Sequence, residues 1–394
     1  MHRFFQRSVF VLSLGLLVVL LGGEFGLRAV RAGSDEDGAY KQINVYQQVL
    51  KKIQTDYVTA PDISTVTNGA LHGLLESLDA DSSYMNAKEY EAYKQHPANA
   101  SAQVGLEISK RFGYATIVDV LPDSPADKEH LATGDPIESI DGQSTRELSL
   151  AMLRVMLEGK PGSQVTLSVI RPRKPDPDKI TLTRVAPALP PLHLEQYDNA
   201  SVLYLKPGVL TATRVDELAN QLKSAGKGKK VLLDLRNVGE GDPAQGLQLA
   251  NFFLKQGTMA TLSGQKYPTQ TFTADAAKCI SDAPLAVLVN RGTAGAAEVA
   301  AAALADNKRA DLVGERTFGE GSVQKTIELP DGGALLLTVA FYSTPGGKKI
   351  LEEAVTPGIK AGPSDDQDDD EDAAPSKSDP ALDKALSVLK AKNA

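Results

Sequence analysis

The residues best suited to chemistry sit in two glycine-rich loops of the C-terminal half. Gly239-Glu240-Gly241-Asp242-Pro243-Ala244-Gln245-Gly246 follows an apolar run and leads into a helical pattern, where a dinucleotide-binding turn would lie. Its spacing is G-x-G-x4-G rather than G-x-G-x2-G, and Glu240 would repel a pyrophosphate. Gly314-Glu315-Arg316-Thr317-Phe318-Gly319 has the spacing of a phosphate-binding loop. There Glu320 stands where that loop needs Lys, and Gly321 where it needs Ser or Thr. Both segments therefore read as tight turns. Metal chemistry lacks a ligand set as well. Cys279 is the single cysteine, which excludes an internal disulfide framework and a Cys-based zinc site. His2, His72, His96, His130 and His193 include no i, i+4 pair. No metal and no cofactor are expected.

The elements that must position these loops come in three styles. Residues 36–98 form a helical region. Val45, Val49, Ile53 and Val58 recur at helical spacing, a second helix is expected over Val66 to Leu78, and Asp79-Ala80-Asp81-Ser82-Ser83 reads as a polar turn. Asn86 with Glu89 three residues later makes a capping box for a third helix. Over residues 99–184 the pattern changes to strands at Gly105 to Ile108, Ala115 to Val120, Pro136 to Ile140 and Val165 to Ile170. A short helix opened by Ser124-Pro125 and an amphipathic helix from Leu148 to Leu157 interrupt them. From residue 190 to 360 apolar strands alternate with helices, which argues for a sheet covered on both faces. The strands are Ser201–Leu205, Val231–Leu235, Leu285–Val289 and Leu312–Val313, and a late hairpin turns at Pro330-Asp331-Gly332-Gly333. The stretch 361–378 contains seven carboxylates between Asp365 and Asp372 and is expected to be a disordered linker before a final helix in 379–394.

Composition and the N-terminus limit the setting. The chain has 394 residues, 42 basic and 50 acidic, for a net charge of −8. It shows no basic stripe, so nucleic acid is not an expected partner. Hydrophobic residues at 42% and charged residues at 23% are ordinary for a globular body and exclude a multi-span membrane protein. Arg3 and Arg7 precede the uncharged stretch Ser8 to Gly23, and Val30-Arg31-Ala32 offers a cleavage site. Residues 1–32 thus read as a signal peptide or N-terminal membrane anchor. The body is expected to be exported, on the periplasmic or cell-envelope side.

Two resemblances follow from these segments. The strand and helix order of 99–184 resembles a PDZ domain, with Val104-Gly105-Leu106-Glu107-Ile108 similar to its carboxylate-binding loop and groove strand. Such domains capture a chain terminus by adding it as a strand. The stretch LAVLVNRGTAGAAEVAAAALADNKRADLVGERTFGEGSVQ, from Leu285 to Gln324, resembles the carboxyl-terminal processing peptidases, or tail-specific serine proteases. Leu233-Asp234-Leu235-Arg236-Asn237, Phe341-Tyr342-Ser343-Thr344-Pro345-Gly346-Gly347 and the terminal helix are similar to that family too. The resemblance implies a mixed α+β and α/β multi-domain chain: helical N-terminal region, PDZ β-domain and a ClpP/crotonase-like α/β peptidase core.

In that family a Ser attacks the scissile carbonyl, a neutral Lys 25 residues later takes its proton, and in some members a Gln four residues beyond helps to orient the Lys. Carried over, the nucleophile position is Gly295, the base position Glu320 and the retained Gln is Gln324. The oxyanion loop reads Arg236-Asn237-Val238-Gly239-Glu240-Gly241, with a carboxylate beside the developing negative charge. Glycine has no nucleophile, and a carboxyl group does not replace a neutral amine. The expected reading is an inactive exported homologue that binds unfolded or C-terminal peptide segments as a scaffold or regulator. Its partners would be peptide C-termini, with an active relative or a second copy of the chain beside them. The alternative is an active serine-type endopeptidase using rearranged residues. Thr293 and Ser322 are its candidate hydroxyls, which otherwise read as turn and cap groups, and Lys325 should face away from Gln324.

Overall fold

Apolar periodicity and capping residues account for most element boundaries in the computed structural model, which describes residues 40–95, 102–111, 113–171, 174–186, 191–226, 228–362 and 379–392. The signal or anchor expected in 1–32 and most of the acidic linker lie outside these residues. The chain divides into two compact units at Ala70/Leu71. The first holds helix α1, over residues 40–56, and the start of α2 (Ile63–Glu76). Val45, Tyr46 and Val49 of α1 are exposed. No helix among the described residues is long and apolar enough to cross a membrane.

Within the second unit, the polar segment after α2 is more than a turn. The Asp79 carboxylate accepts from the Asp81 and Ser82 N–H groups and the Ser82 hydroxyl, and that knot starts strand β1 (Ser83–Met85). Sequence reading missed this strand because three residues carry too little pattern. Helix α3 (Ala87–Gln95) has its capping box: Asn86 N–H donates to Glu89 at 2.8 Å, and Glu89 N–H donates back to Asn86 at 3.1 Å.

The strand-rich region then builds one sheet. Its elements are β2 (Leu106–Arg111), β3 (Tyr114–Val120), α4 (Pro125–Lys128), β4 (Pro136–Ile140), β5 (Gln143–Ser144), α5 (Leu150–Leu157), β6 (Gln164–Val169) and β7 (Asp178–Thr183). The order is β2-β3-β4-β6-β7, so β2 lies at an edge. Ser124 and Ser149 cap α4 and α5, and the apolar face of α5 packs on Ile108, Ile137, Ile140 and Val165.

The core follows, with β8 (His193–Tyr197), β9 (Val202–Lys206), α6 (Ala212–Ser224), β10 (Lys230–Asp234) and α7 (Pro243–Asn251). Next come β11 (Thr258–Ser263), β12 (Gln270–Thr273), β13 (Leu285–Val289), α8 (Ala296–Asp306) and β14 (Asp311–Gly314). Last are β15 (Ser322–Glu328), β16 (Ala334–Ser343), β17 (Ile359–Lys360) and α9 (Pro380–Ala391). The main sheet runs β17-β14-β13-β10-β9-β8, parallel apart from β8. Alternate residues face opposite sides, as the strand period requires. Leu205, Leu233 and Val287 join α6, α7 and α8, while Tyr204, Leu232 and Leu288 meet Ala381, Ala385 and Leu389 of α9. The sheet is therefore covered on both faces, as the continuous apolar strands predict. A second, antiparallel sheet joins β1, β16, β11 and β12, with β15 on β16. Strands β8, β11 and β12 were not legible: their exposed faces carry polar residues and break the apolar run. Helices α7 and α8 approach so closely that a Cβ at Gly246 would fall 2.0 Å from the Ala296 carbonyl oxygen.

Candidate functional site

Strand β13 ends at a turn that is tied to the loop after β10. Asn290 Oδ1 accepts from the Asn237 N–H at 3.0 Å and from the Gly292 N–H at 3.1 Å, and Asn290 Nδ2 donates to Asn237 Oδ1 at 2.6 Å. Thr293 is fully buried between the two segments. Its hydroxyl donates to the Leu235 carbonyl at 2.8 Å and accepts from the Asn290 N–H at 3.0 Å. The Thr293 oxygen thus holds the turn against β10 and faces no base.

Gly295 caps α8 with φ +54° and ψ −115°, a backbone that an L side chain occupies only under strain. A Cβ built there would meet nothing closer than the Gly239 carbonyl at 3.8 Å and Glu320 Oε2 at 3.9 Å. The fold brings Gly239, Gly295 and Glu320 together around room for a side chain that Gly295 lacks. Glu298, fully buried in the first turn of α8, sets this arrangement. Its Oε1 accepts from the Gly319 N–H at 2.9 Å and from the Thr317 hydroxyl; its Oε2 accepts from the Glu320 N–H at 2.7 Å and the Gly295 N–H at 3.2 Å. One carboxylate therefore clamps both the helix start and the loop that carries Glu320.

Glu320 faces that space with a half-buried carboxyl. Burial first, then the nearby Glu107 charge, push its carboxyl up to about 8, with Asp81 and Glu298 adding to the rise and Arg154 opposing it. A carboxyl raised in this way is mostly protonated at neutral pH. Arg154 Nη2 lies 3.7 Å from Glu320 Oε1. Gln324, on β15, has a buried Nε2 with no hydrogen-bond partner among the described residues. Lys325 is exposed. The Ser322 hydroxyl donates to Asp81 Oδ2 at 2.8 Å.

The donor loop is occupied from the PDZ side. Gly239 N–H donates at 3.1 Å to Oδ2 of Asp119, a residue of β3 that is 2% exposed, and Asp119 Oδ1 takes the Val120 N–H. Burial pushes the Asp119 carboxyl up to about 6 against these two N–H groups. Glu240 is raised by partial desolvation and by the Glu107 charge. Gly241 packs against Leu210 so closely that a Cβ would fall 2.8 Å from Leu210 Cβ.

At the PDZ groove, the Val104 carbonyl accepts from the Ala126 N–H at 3.0 Å, and Gly105 has φ +83° with Ser124 where a side chain would go. Leu106 pairs with Val120, and Ile108 is buried in the domain core. Arg154 Nη2 reaches across from α5 to Glu107 Oε1 at 2.7 Å and to the Ile108 carbonyl at 3.3 Å. The guanidinium therefore spans the groove strand and the cleft of the core. A cavity of about 420 Å³ adjoins it, lined in part by Glu76, Asp79, Asp81, Lys110 and Glu320. Among the described residues no group of three His, Cys, Asp or Glu is placed to hold a metal ion.

Sequence reasoning missed Arg154 and Asp119, although each left a mark. Arg154 is the one charge in LAMLRVML, and Asp119 the one charge in YATIVDV. A lone charge inside an apolar element needs a partner: Asp119 finds Gly239 across the domain boundary, while Arg154 pairs with Glu107 in its own domain and reaches Glu320 beyond it.

A PDZ domain joined to a serine-peptidase core defines the class. Sequence models of the PDZ domain and of peptidase family S41 match residues 102–183 and 192–361. A carboxy-terminal-processing protease of Bartonella bacilliformis is 30% identical over 333 residues, covering 83% of this chain and 76% of that protein. A carboxyl-terminal-processing protease of Picosynechococcus sp. is 34% identical over 280 residues, 69% of this chain and 67% of that one. The solved photosystem II D1 C-terminal processing protease shares the fold with a TM-score of 0.66 and 27% identity, over 79% of this chain and 85% of that chain. The chain belongs to the carboxyl-terminal processing protease family.

Proposed function

We propose that the chain is an exported, catalytically silent member of its family that captures unfolded or C-terminal peptide segments and serves as a scaffold or regulator. One observation carries the reading: the nucleophile position is Gly295, with open space facing the Glu320 carboxyl rather than an amine. The Asp119 carboxylate on Gly239 N–H supports it, because a donor that already serves an anion cannot stabilise a developing one. The retained binding parts support capture. Strand β2 is a sheet edge beside α5, the arrangement that takes an added strand. Export rests on the basic and apolar pattern of the first 32 residues.

The purified chain, incubated with a flexible unfolded protein, should release no fragments. A peptide with a free C-terminal carboxylate should bind saturably, and its amidated form more weakly. Gly295→Ser combined with Glu320→Lys should give at most trace cleavage, about a hundredfold or more below an active relative, while Asp119 still fills the donor loop. Steady cleavage by the unaltered chain that disappears in Thr293→Val or Ser322→Ala would overturn the proposal in favour of relocated catalysis.

A further inference from the structure

Strand β2 offers an added strand less edge than its six residues suggest. Backbone groups along an antiparallel strand alternate between its two sides. The Gly105 carbonyl takes the Leu121 N–H at 2.9 Å, on the β3 side. Opposite Ile108 and Lys110, the N–H groups of Ile117 and Ala115 turn away from β2, to the Asp135 carbonyl and the Thr145 hydroxyl. Leu106, Ile108 and Lys110 therefore present their own backbone groups to the open edge. The Ile108 carbonyl shows it directly, since it accepts from Arg154 Nη2 of α5 at 3.3 Å.

Two cationic side chains cross that edge. Arg154 holds the Ile108 carbonyl and, through the same nitrogen, Glu107 Oε1 at 2.7 Å. Lys110, 7% exposed, spans from β2 to the segment before α5, donating to the Leu148 carbonyl at 2.8 Å and to Glu76 at 2.5 Å. Ahead of these crossings the open edge of β2 holds Leu106 alone. We propose that the groove reads only the end of a captured chain, its terminal carboxylate and last two residues, with Arg154 as the stop that fixes this reach. The inference rests on the peptide capture proposed above and narrows its ligand to free C-termini, whatever sequence precedes them.

The reach follows from the strand period. A chain added antiparallel to β2, with its carboxylate at the Gly105 end, pairs its last residue with Leu106. The residue before it points its backbone groups away from β2. The third residue from the end needs the Ile108 carbonyl as acceptor for its N–H. A guanidinium already holds that oxygen through a charge-assisted bond, roughly twice as strong as the neutral bond a peptide N–H offers. Glu107 and Glu320 share the same guanidinium, so displacing it would also cost both carboxylates their cation. Pairing therefore stops before the third residue.

The test titrates the unaltered chain with acetylated peptides of two, three, five and eight residues, all ending in Leu-Val with a free carboxylate. Affinity should change by less than about threefold along the series, because residues beyond the second add no bond to β2. Methylating the amide nitrogen of the last residue should weaken the eight-residue peptide about tenfold, and methylating the third from last by less than about twofold. Affinity that rises about tenfold or more with length, or an equal loss from both methyl groups, overturns the stop. Arg154→Ala frees the Ile108 carbonyl, so the eight-residue peptide should gain about fivefold and become sensitive to the third-from-last methyl. Unchanged values in a folded Arg154→Ala overturn the role of Arg154. Should that variant fail to fold, the methyl comparison on the unaltered chain decides alone. Binding by none of the peptides overturns the capture reading itself and this inference with it, whereas binding that grows with length overturns the stop and leaves capture standing.

Discussion

Glu298→Ala should cost the folded chain about 4 kcal/mol, the largest loss expected from any single change in the α8 turn. The carboxylate is fully buried and receives four donors: the N–H groups of Gly295, Gly319 and Glu320, and the Thr317 hydroxyl. Truncation leaves those donors without partners in a space that water reaches poorly, and each buried orphan costs about 1–3 kcal/mol before any relaxation. Partial collapse of the 317–320 loop recovers some of that sum. Glu298→Gln should lose about half as much, because its amide keeps one accepting oxygen but turns an N–H₂ toward two of the donors. The difference between wild type and Glu298→Ala also depends on pH. Burial raises the Glu298 carboxyl to about 7 against the pull of its donors, so the folded state holds a proton that the unfolded chain releases. Stability from that proton is full below about 4.5 and is lost as pH rises through 7, so the Ala penalty is larger at pH 5 than at pH 8. Urea unfolding at both values measures the two numbers. A penalty under about 1 kcal/mol would show that the clamp is not what fixes Gly295 and Glu320.

That clamp shows which parts of the site the sequence could disclose. Gly295, Glu320 and Gln324 were legible because they lie within one motif whose spacing is fixed by a strand, a turn and a helix in succession. The covered parallel sheet was legible for a related reason, since continuous apolar strands such as LAVLV have no solvent face. What closes the cleft was not legible. Arg154 meets Glu320 across 166 residues of chain, and Asp119 meets Gly239 across 120. No local period encodes such a pairing. Only the isolation of one charge within an apolar element hints at it. Short polar strands escaped for another reason. Strand β1 is held by the Asp79 knot and by its register against Leu336, Leu335 and Ala334 of β16, so its partner dictates it more than its own three residues do.

The second large effect is expected three residues before Gly239, on the face of the main sheet that α9 covers, where Arg236→Ala should cost about 3–5 kcal/mol and detach α9. Asp234 ends β10 with its side chain fully buried, and its carboxylate takes Arg236 Nε at 3.0 Å, Arg236 Nη2 at 2.6 Å and the Tyr204 hydroxyl at 2.7 Å. Removing the guanidinium leaves a buried anion with only the tyrosine and one backbone N–H, the circumstance in which breaking an ion pair is most destabilising. The same guanidinium donates Nη1 to Asp379 at 3.0 Å, and Asp379 caps α9 through the Leu382 N–H. Despite partial burial, that N–H and Arg236 hold the Asp379 carboxyl below its usual range. One side chain thus joins the buried end of β10 to the first turn of a helix that returns after the acidic linker. Arg236→Lys should recover little, since an ammonium cannot serve Asp234 through two nitrogens and Asp379 through a third. Asp379→Asn separates the two roles. It should loosen α9 by about 1 kcal/mol, the worth of a cap and a half-exposed pair, while the sheet stays intact. Hydrogen exchange distinguishes the outcomes. Arg236→Ala should lower protection in β9, β10 and α9 together, and Asp379→Asn in α9 alone. If Arg236→Ala instead spares the strands, then Asp234 is carried by Tyr204 and the backbone, and the attachment of α9 rests on Ala381, Ala385 and Leu389 packing against Tyr204, Leu232 and Leu288.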